Sequence, residues 1–191
     1  ESAVVGEREI AGQVRRALAS AQEKAQQDER PLPGELVQLF EHAAHTARQV
    51  GQHTLLGSQG RSIVSVALDL ADEVTEKDWP TRRALVFGTG AYAGATIAAL
   101  RDRGCTDIWV NSRSGRAPEF AAKRDVFAVP EGGMTQAMAE ADLIIGCSGG
   151  SAPLQPEQIP AGHHTILDLA LSRDFDPSVA DLPNVELITL E

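Results

Sequence analysis

The chain has 191 residues, 42% of them apolar, and a formal net charge of −10, from 17 basic against 27 acidic residues. That length holds one large domain, or one domain and a piece of another, with an ordinary core. The acidic balance argues against a broad basic surface for nucleic acid, and no apolar run approaches the roughly 20 residues that span a bilayer.

Residues 6–28 read as a helix rich in Ala, Gln, Glu and Arg, with Ile10, Val14, Leu18 and Ala21 on one face. Pro31 and Pro33 mark a loop. A second helix follows over 35–52, with Leu36, Leu39, Phe40, Ala43, Ala47 and Val50 as its apolar stripe; Gly51 and the stretch Gly57 to Gly60 break it. A third covers 61–76, where Ile63, Val64, Ala67, Leu68 and Ala71 repeat at helical spacing. Lys77-Asp-Trp-Pro80 is a hydrophilic junction. It suggests a domain boundary, with a helical segment over 1–78 and a second domain over 79–191.

Beyond the junction the pattern alternates. Strands are expected at 84–88, 107–111, 125–128, 142–146, 164–169 and 185–189, and helices at 92–103, 116–123 and 133–140, with a short one near 156–158. Strand–helix repetition of this kind implies an α/β fold, a doubly wound (Rossmann) parallel sheet with helices on both faces. Segment 170–184 is polar and proline-marked.

Between the first strand and its helix stands Gly88-Thr-Gly-Ala-Tyr-Ala93, a G-x-G-x-x-A turn of the dinucleotide-binding type. Gly88 allows the tight turn, and Gly90 leaves out a Cβ so that a pyrophosphate can approach. Ala93 permits close helix–strand packing, and the helix N-terminus offers free N–H groups to phosphate. In NAD-binding domains an acid about 20 residues further on holds the ribose 2′-hydroxyl. Here the second strand ends in Asn111-Ser112-Arg113-Ser114, with no acid. A guanidinium beside two hydroxyls suits a 2′-phosphate, so the pattern favours NADPH over NADH.

Gly146-Cys147-Ser148 and its glycine-rich continuation to Pro153 follow the fourth strand, where the ligand crevice of such a sheet lies. Cys147 there is open to two readings, a reactive thiol or a small residue in a tight loop, and no His or other base stands near it in sequence. Cys105 falls at the opposite end of the sheet and reads as structural. Two isolated cysteines suggest no disulfide framework and a reducing cytoplasm. His42 and His45, three apart on the second helix, have no evident third metal ligand, and His163-His164 precedes a strand. No metal site is expected.

Four stretches together resemble glutamyl-tRNA reductase. Glu1-Ser-Ala-Val-Val-Gly-Glu-Arg-Glu-Ile-Ala-Gly-Gln-Val14 is similar to the family's E-S-M-V-x-G-E-P-Q-I-x-G-Q-V. The glycine turn with Asn111 to Ser114 is similar to the family's turn and N-R-T site. Ala141 to Pro153 looks like A-D-x-x-I-S-S-T-x-S-P, and Leu167-Asp-Leu-Ala-Leu-Ser-Arg-Asp-Phe-Asp-Pro177 like I-D-I-A-V-P-R-D-I-D-P. The first and fourth are specific, the turn is generic, and together they run through the whole chain.

The resemblance implies NADPH-dependent reduction of glutamyl-tRNA(Glu) to glutamate-1-semialdehyde, the first step of C5 tetrapyrrole (porphyrin) biosynthesis. A thiolate attacks the ester carbonyl, and hydride then reduces the thioester. It implies a piece of a three-domain protein, beginning late in the catalytic domain, so that the nucleophilic Cys lies outside the chain and no catalytic residue is assigned here. By motif, Ser2, Glu7, Arg8, Glu9 and Gln13 would line the glutamyl pocket. Arg8 replaces Pro and Glu9 replaces Gln, which alters the pocket's hydrogen bonding. Gly88, Thr89, Gly90, Ala91, Tyr92 and Ala93 would take the pyrophosphate, and Ser112, Arg113 and Ser114 the adenosine end. Implied partners are the tRNA, a second copy through an absent C-terminal domain, and glutamate-1-semialdehyde aminomutase. The 77–80 junction would let the dinucleotide domain swing. Two alternatives stand beside this: a shikimate-dehydrogenase-like oxidoreductase, and a non-catalytic NADP-binding module.

Overall fold

The computed structural model describes residues 8–28, 30–53, 63–75, 77–149, 152–170 and 172–189. The chain divides into two compact units, Glu1–Ile63 and Val64–Glu191.

In the first unit helices α1 (Arg8–Gln27) and α2 (Gly34–His53) pack against each other. Val14, Leu18 and Ala25 of α1 are half-buried, as are Val37, Phe40 and Ala44 of α2. The expected stripes are therefore partly displaced. Ala21, Ala43 and Ala47 are exposed, and so are Leu36, Leu39 and Val50. Two helices share only a narrow seam, which residues at i, i+4 and i+11 of α1 and at i, i+3 and i+7 of α2 fill. Helix α2 also runs through Gly51 to His53, since one helical glycine costs only about 1 kcal/mol. The break expected at Gly57 to Gly60 lies outside the described residues.

The second unit holds α3 (Ile63–Glu73) and a six-stranded parallel sheet: β1 (Arg83–Phe87), β2 (Asp107–Asn111), β3 (Phe127–Ala128), β4 (Leu143–Gly146), β5 (His164–Asp168) and β6 (Val185–Thr189). The strand order is β3-β2-β1-β4-β5-β6, with every pairing parallel. The order reverses between β1 and β4, which creates the crevice of a doubly wound sheet at the strands' carboxyl ends. The register puts Phe87, Asn111, Gly146, Asp168 and Thr189 in one row at that edge. β3 is two residues long, shorter than expected, because Asp125 takes φ 50 and turns the chain before the ladder can begin.

Helices α4 (Ala91–Asp102), α5 (Ala117–Ala122) and α6 (Met134–Glu140) cover the sheet. Leu85, Phe87, Ile144, Ile166, Phe175 and Met138 form one buried cluster, in which the Phe87 and Phe175 rings meet edge to face, 5.8 Å between centroids. Successive strand residues point to opposite faces, so Ala84 and Val86 look the other way and are buried too. Ile97 and Leu100 of α4 are likewise buried.

The expectation set the helix ending near residue 76 on the far side of a 77–80 boundary; the compact units divide at 63/64 instead. Val64, Ala67, Leu68 and Ala71 of α3 are buried. Polar ties add to this: Arg103 bonds Asp69 at 2.6 Å, Arg82 bonds Asp72 at 2.8 Å, and Trp79 stands beneath the Arg82 guanidinium at 4.0 Å.

Candidate functional site

β1 delivers Gly88 to the carboxyl edge of the sheet. Gly88 takes φ +113, and its N–H donates to Asn111 O at 2.8 Å. A Cβ there would stand 3.0 Å from the carbonyl group of Cys147. Two loops thus meet at this point with no room for a side chain, in a backbone conformation that favours glycine. Gly90 is different. It caps α4 with φ −83 and ψ −175, and a Cβ would meet nothing within 4 Å. The space above the first turn of α4 is open, as backbone contact with a pyrophosphate requires. Ala93 is fully buried, as its packing role demands.

Tertiary structure joins the two sequence clusters. Thr89 Oγ1 lies 3.4 Å from Ser112 Oγ, Ser112 Oγ lies 2.9 Å from Ser114 Oγ, and Arg116 Nε donates to Ser114 Oγ at 2.8 Å. This hydroxyl chain runs from the glycine turn to a guanidinium that sequence reasoning missed. Arg116 borders a cleft of about 260 Å³ together with Thr89, Gly90, Phe120, Lys123 and Arg124. The Arg124 guanidinium stacks on Phe120 at 3.9 Å, and Lys123 pairs with Glu119 at 2.7 Å, which holds that carboxyl below its usual value. Three cations against one acid, Glu119, beside the N-terminus of α4 leave the cleft net positive and anion-attracting. The signal was legible as Arg116, Lys123 and Arg124 within one helix and its ends.

Arg113 turns elsewhere. It donates to Ala152 O at 2.7 Å and Ser148 Oγ at 3.4 Å, and lies 3.7 Å from Asp174 Oδ1. Asp174 is buried and accepts from Ser148 N at 2.7 Å and from Ser148 Oγ. Asp168, at the end of β5, accepts from the backbone N–H groups of Ala170, Asp174 and Phe175 at 3.2, 2.9 and 3.0 Å. Burial pushes its pKa up despite those bonds. The two acids stand in the Leu167–Pro177 stretch, but nothing in their spacing shows that one ties down the loop and the other anchors Arg113.

The surroundings of Cys147 suit a small residue in a tight loop better than a reactive thiol. Burial, with Asp174 and Asp168 near, pushes its thiol up to about 12, even though the Thr96 hydroxyl lies 3.4 Å from the sulfur. Such a thiol stays protonated at neutral pH. Cys105 is buried, its S–H donates to Arg82 O at 3.4 Å, and burial pushes it up to about 11. His42 and His45 are exposed on α2. His164 is buried, with Nδ1 3.3 Å from Ala141 O and Nε2 3.1 Å from Pro160 O. Among the described residues no three acids, histidines or cysteines gather as metal ligands would, and no helix is long and apolar enough to cross a membrane. Ser2 and Glu7 lie outside the described residues. Arg8, Glu9 and Gln13 stand in the first two turns of α1, and their side chains lie outside what is described.

Known proteins match both units. The model of the glutamyl-tRNA reductase N-terminal domain matches residues 1–54, and that of shikimate/quinate 5-dehydrogenase matches residues 69–191. A glutamyl-tRNA reductase of Kocuria rhizophila is 65% identical over all of this chain, which covers 43% of that protein. The chain thus spans less than half the length of that relative. The solved glutamyl-tRNA reductase of Methanopyrus kandleri superposes with a TM-score of 0.60 at 25% identity, covering 100% of this chain and 49% of its own. The nucleotide-binding domain of the Thermoplasma volcanium enzyme shares the fold, with a TM-score of 0.51 at 17% identity over 69% of this chain and 88% of its own.

Proposed function

This chain belongs to the glutamyl-tRNA reductase family, with its residues 69–191 in the shikimate/quinate 5-dehydrogenase family of domains, and from that premise we propose that it is the NADPH-carrying part of an enzyme that reduces glutamyl-tRNA(Glu) to glutamate-1-semialdehyde. The observation that carries this reading is the turn Gly88 to Ala93, open above Gly90 and joined through Thr89, Ser112 and Ser114 to a basic cleft.

The residues present fit a dinucleotide phosphate. The first turn of α4, capped by Gly90 and open above it, would hold the pyrophosphate at its N-terminal end. Ser112, Arg113, Ser114 and Arg116 would hold the adenosine end and its 2′-phosphate, through hydroxyl and guanidinium donors. No acid ends β2 to favour a 2′-hydroxyl. When bound, NADPH supplies hydride, and the chain's task is to fix the carrier at the sheet edge.

Burial pushes the Cys105 and Cys147 thiols up, which supports a nucleophile supplied by another part of the enzyme. Ser2, Glu7, Arg8, Glu9 and Gln13 would contribute to the glutamyl pocket there. The tRNA, a second copy and an aminomutase that consumes the semialdehyde are the partners this reading entails, in the cytoplasm and at the entrance to porphyrin synthesis. A shikimate-dehydrogenase-like reading draws on the match over 69–191 alone; the match over 1–54 supports the tRNA reductase instead.

Fluorescence titration tests the cofactor. The chain should bind NADPH more tightly than NADH, and Arg116→Ala should reduce that preference. Equal affinity for both would overturn the NADP assignment. In the full-length enzyme, reduction of glutamyl-tRNA should survive Cys147→Ser and Cys105→Ala, and shikimate should not be turned over. Loss of activity in either cysteine variant with an intact fold would place the nucleophile in this chain.

A further inference from the structure

Arg113 starts two residues beyond β2 and ends on the loop after β4. β2 and β4 flank β1 on opposite sides. The side chain therefore spans the carboxyl end of β1, where the Gly88–Ala93 turn begins, and crosses the crevice at which the strand order reverses. Its two ends are unequal. The Asp174 side chain is 3% exposed and fixed by Ser148, whereas Arg113 is 53% exposed. The acid is a set anchor and the guanidinium is the movable partner.

We propose that Arg113 is a strap over the dinucleotide crevice, fastened to Asp174, Ser148 and Ala152, and that the 2′-phosphate of NADPH releases it by taking over the same guanidinium. This rests on the NADPH reading above and adds a specificity device to it. The strap's hydrogen bonds go to neutral acceptors, Ala152 O and Ser148 Oγ, and its ion pair stands at 3.7 Å, beyond hydrogen-bond distance. A phosphate offers shorter, charge-assisted and bidentate bonds. NADPH thus opens the strap and is compensated for doing so. NADH brings only a 2′-hydroxyl and opens it without compensation. Arg113 would then determine specificity twice, by attracting one dinucleotide and obstructing the other.

Titrating NADPH and NADH separately against the 191-residue chain and its variants tests this. The fraction of molecules with the strap open multiplies the apparent affinity. Arg113→Ala should therefore tighten NADH by about three- to tenfold while weakening NADPH by about tenfold or more. Asp174→Asn should tighten both dinucleotides by about three- to tenfold, and Ser148→Ala should do so by about twofold or more. If Asp174→Asn does not fold, as judged by circular dichroism, Ser148→Ala and Arg113→Ala decide. A residue that only bound phosphate would leave NADH affinity unchanged in Arg113→Ala, and that result overturns the strap. So does a Ser148→Ala chain that binds both dinucleotides no better than the parent. A parent chain that binds neither dinucleotide overturns the NADPH reading itself, a result separable from failure of the strap alone.

Discussion

A Cβ on Gly88 would lie 3.0 Å from the carbonyl carbon and oxygen of Cys147, so the turn after β1 and the loop after β4 touch through backbone alone. Gly88→Ala must both separate these loops and hold alanine at φ +113. The expected cost is about 2–4 kcal/mol, read as a lower urea midpoint. Gly90 has neither constraint. Gly90→Ala should leave the midpoint within about 0.5 kcal/mol of the parent while weakening dinucleotide binding. Equal midpoints for all three chains would show that the Gly88 contact is unimportant.

The thiols should be slow. With Cys147 pushed to about 12 and Cys105 to about 11 by burial, the thiolate fraction at pH 8 is below roughly one in a thousand for Cys147 and close to that for Cys105. A disulfide reagent should leave both unmodified in the native chain over minutes and modify both promptly in urea. Rapid native modification of Cys147 would contradict its protonated state.

Asp168 should matter to folding, and its effect should depend on pH. Asp168→Ala leaves three backbone N–H groups without their acceptor, an expected loss of about 2–4 kcal/mol. Burial raises the folded pKa above the unfolded one, so as pH rises past the ordinary carboxylate value the unfolded chain ionises first. This residue's contribution to stability therefore falls with rising pH up to the folded pKa and is constant beyond it. Urea midpoints across that window should show the slope in the parent and lose it in Asp168→Asn.

Helix α3 should unfold with the sheet. Leu68 is fully buried, and Leu68→Ala should cost about 2–5 kcal/mol. Trp79→Ala removes the ring 4.0 Å from Arg82 and 5.7 Å from Arg103, a loss of about 1–3 kcal/mol. Hydrogen exchange should give the α3 amides the protection of β1. If they exchange as freely as the ends of the chain, α3 is not part of that unit.

Much of the α/β unit was readable from local pattern. Strands buried on both faces are short apolar runs, helices repeat every 3.6 residues, and both properties belong to a segment by itself. β2 and β6 fall on their expected residues, β4 and β5 differ by one at an end, and β1 is shifted by one residue. Gly88 and Ala93 could be assigned tasks from sequence because a tight turn and close packing constrain residue type directly.

What lay beyond local pattern is who meets whom. The apolar stripe of α3 is evident in the sequence, but a stripe does not name the surface that buries it, and the sheet claims it through Arg82, Arg103 and Trp79. Arg113 was legible as a cation at the end of β2; that it reaches over β1 to Asp174 depends on β4 lying on the other side. The upward push on the Cys147 thiol likewise depends on burial, and on Asp168 at the end of β5 and Asp174 in the loop after it. Local pattern sufficed for the elements and for a glycine turn of the dinucleotide-binding type, because periodicity and glycine geometry act over a few residues. The tertiary structure alone decided the direction of Arg113, the state of the thiols and the allegiance of α3. Charge pairing and desolvation depend on groups that only the fold brings within a few ångströms.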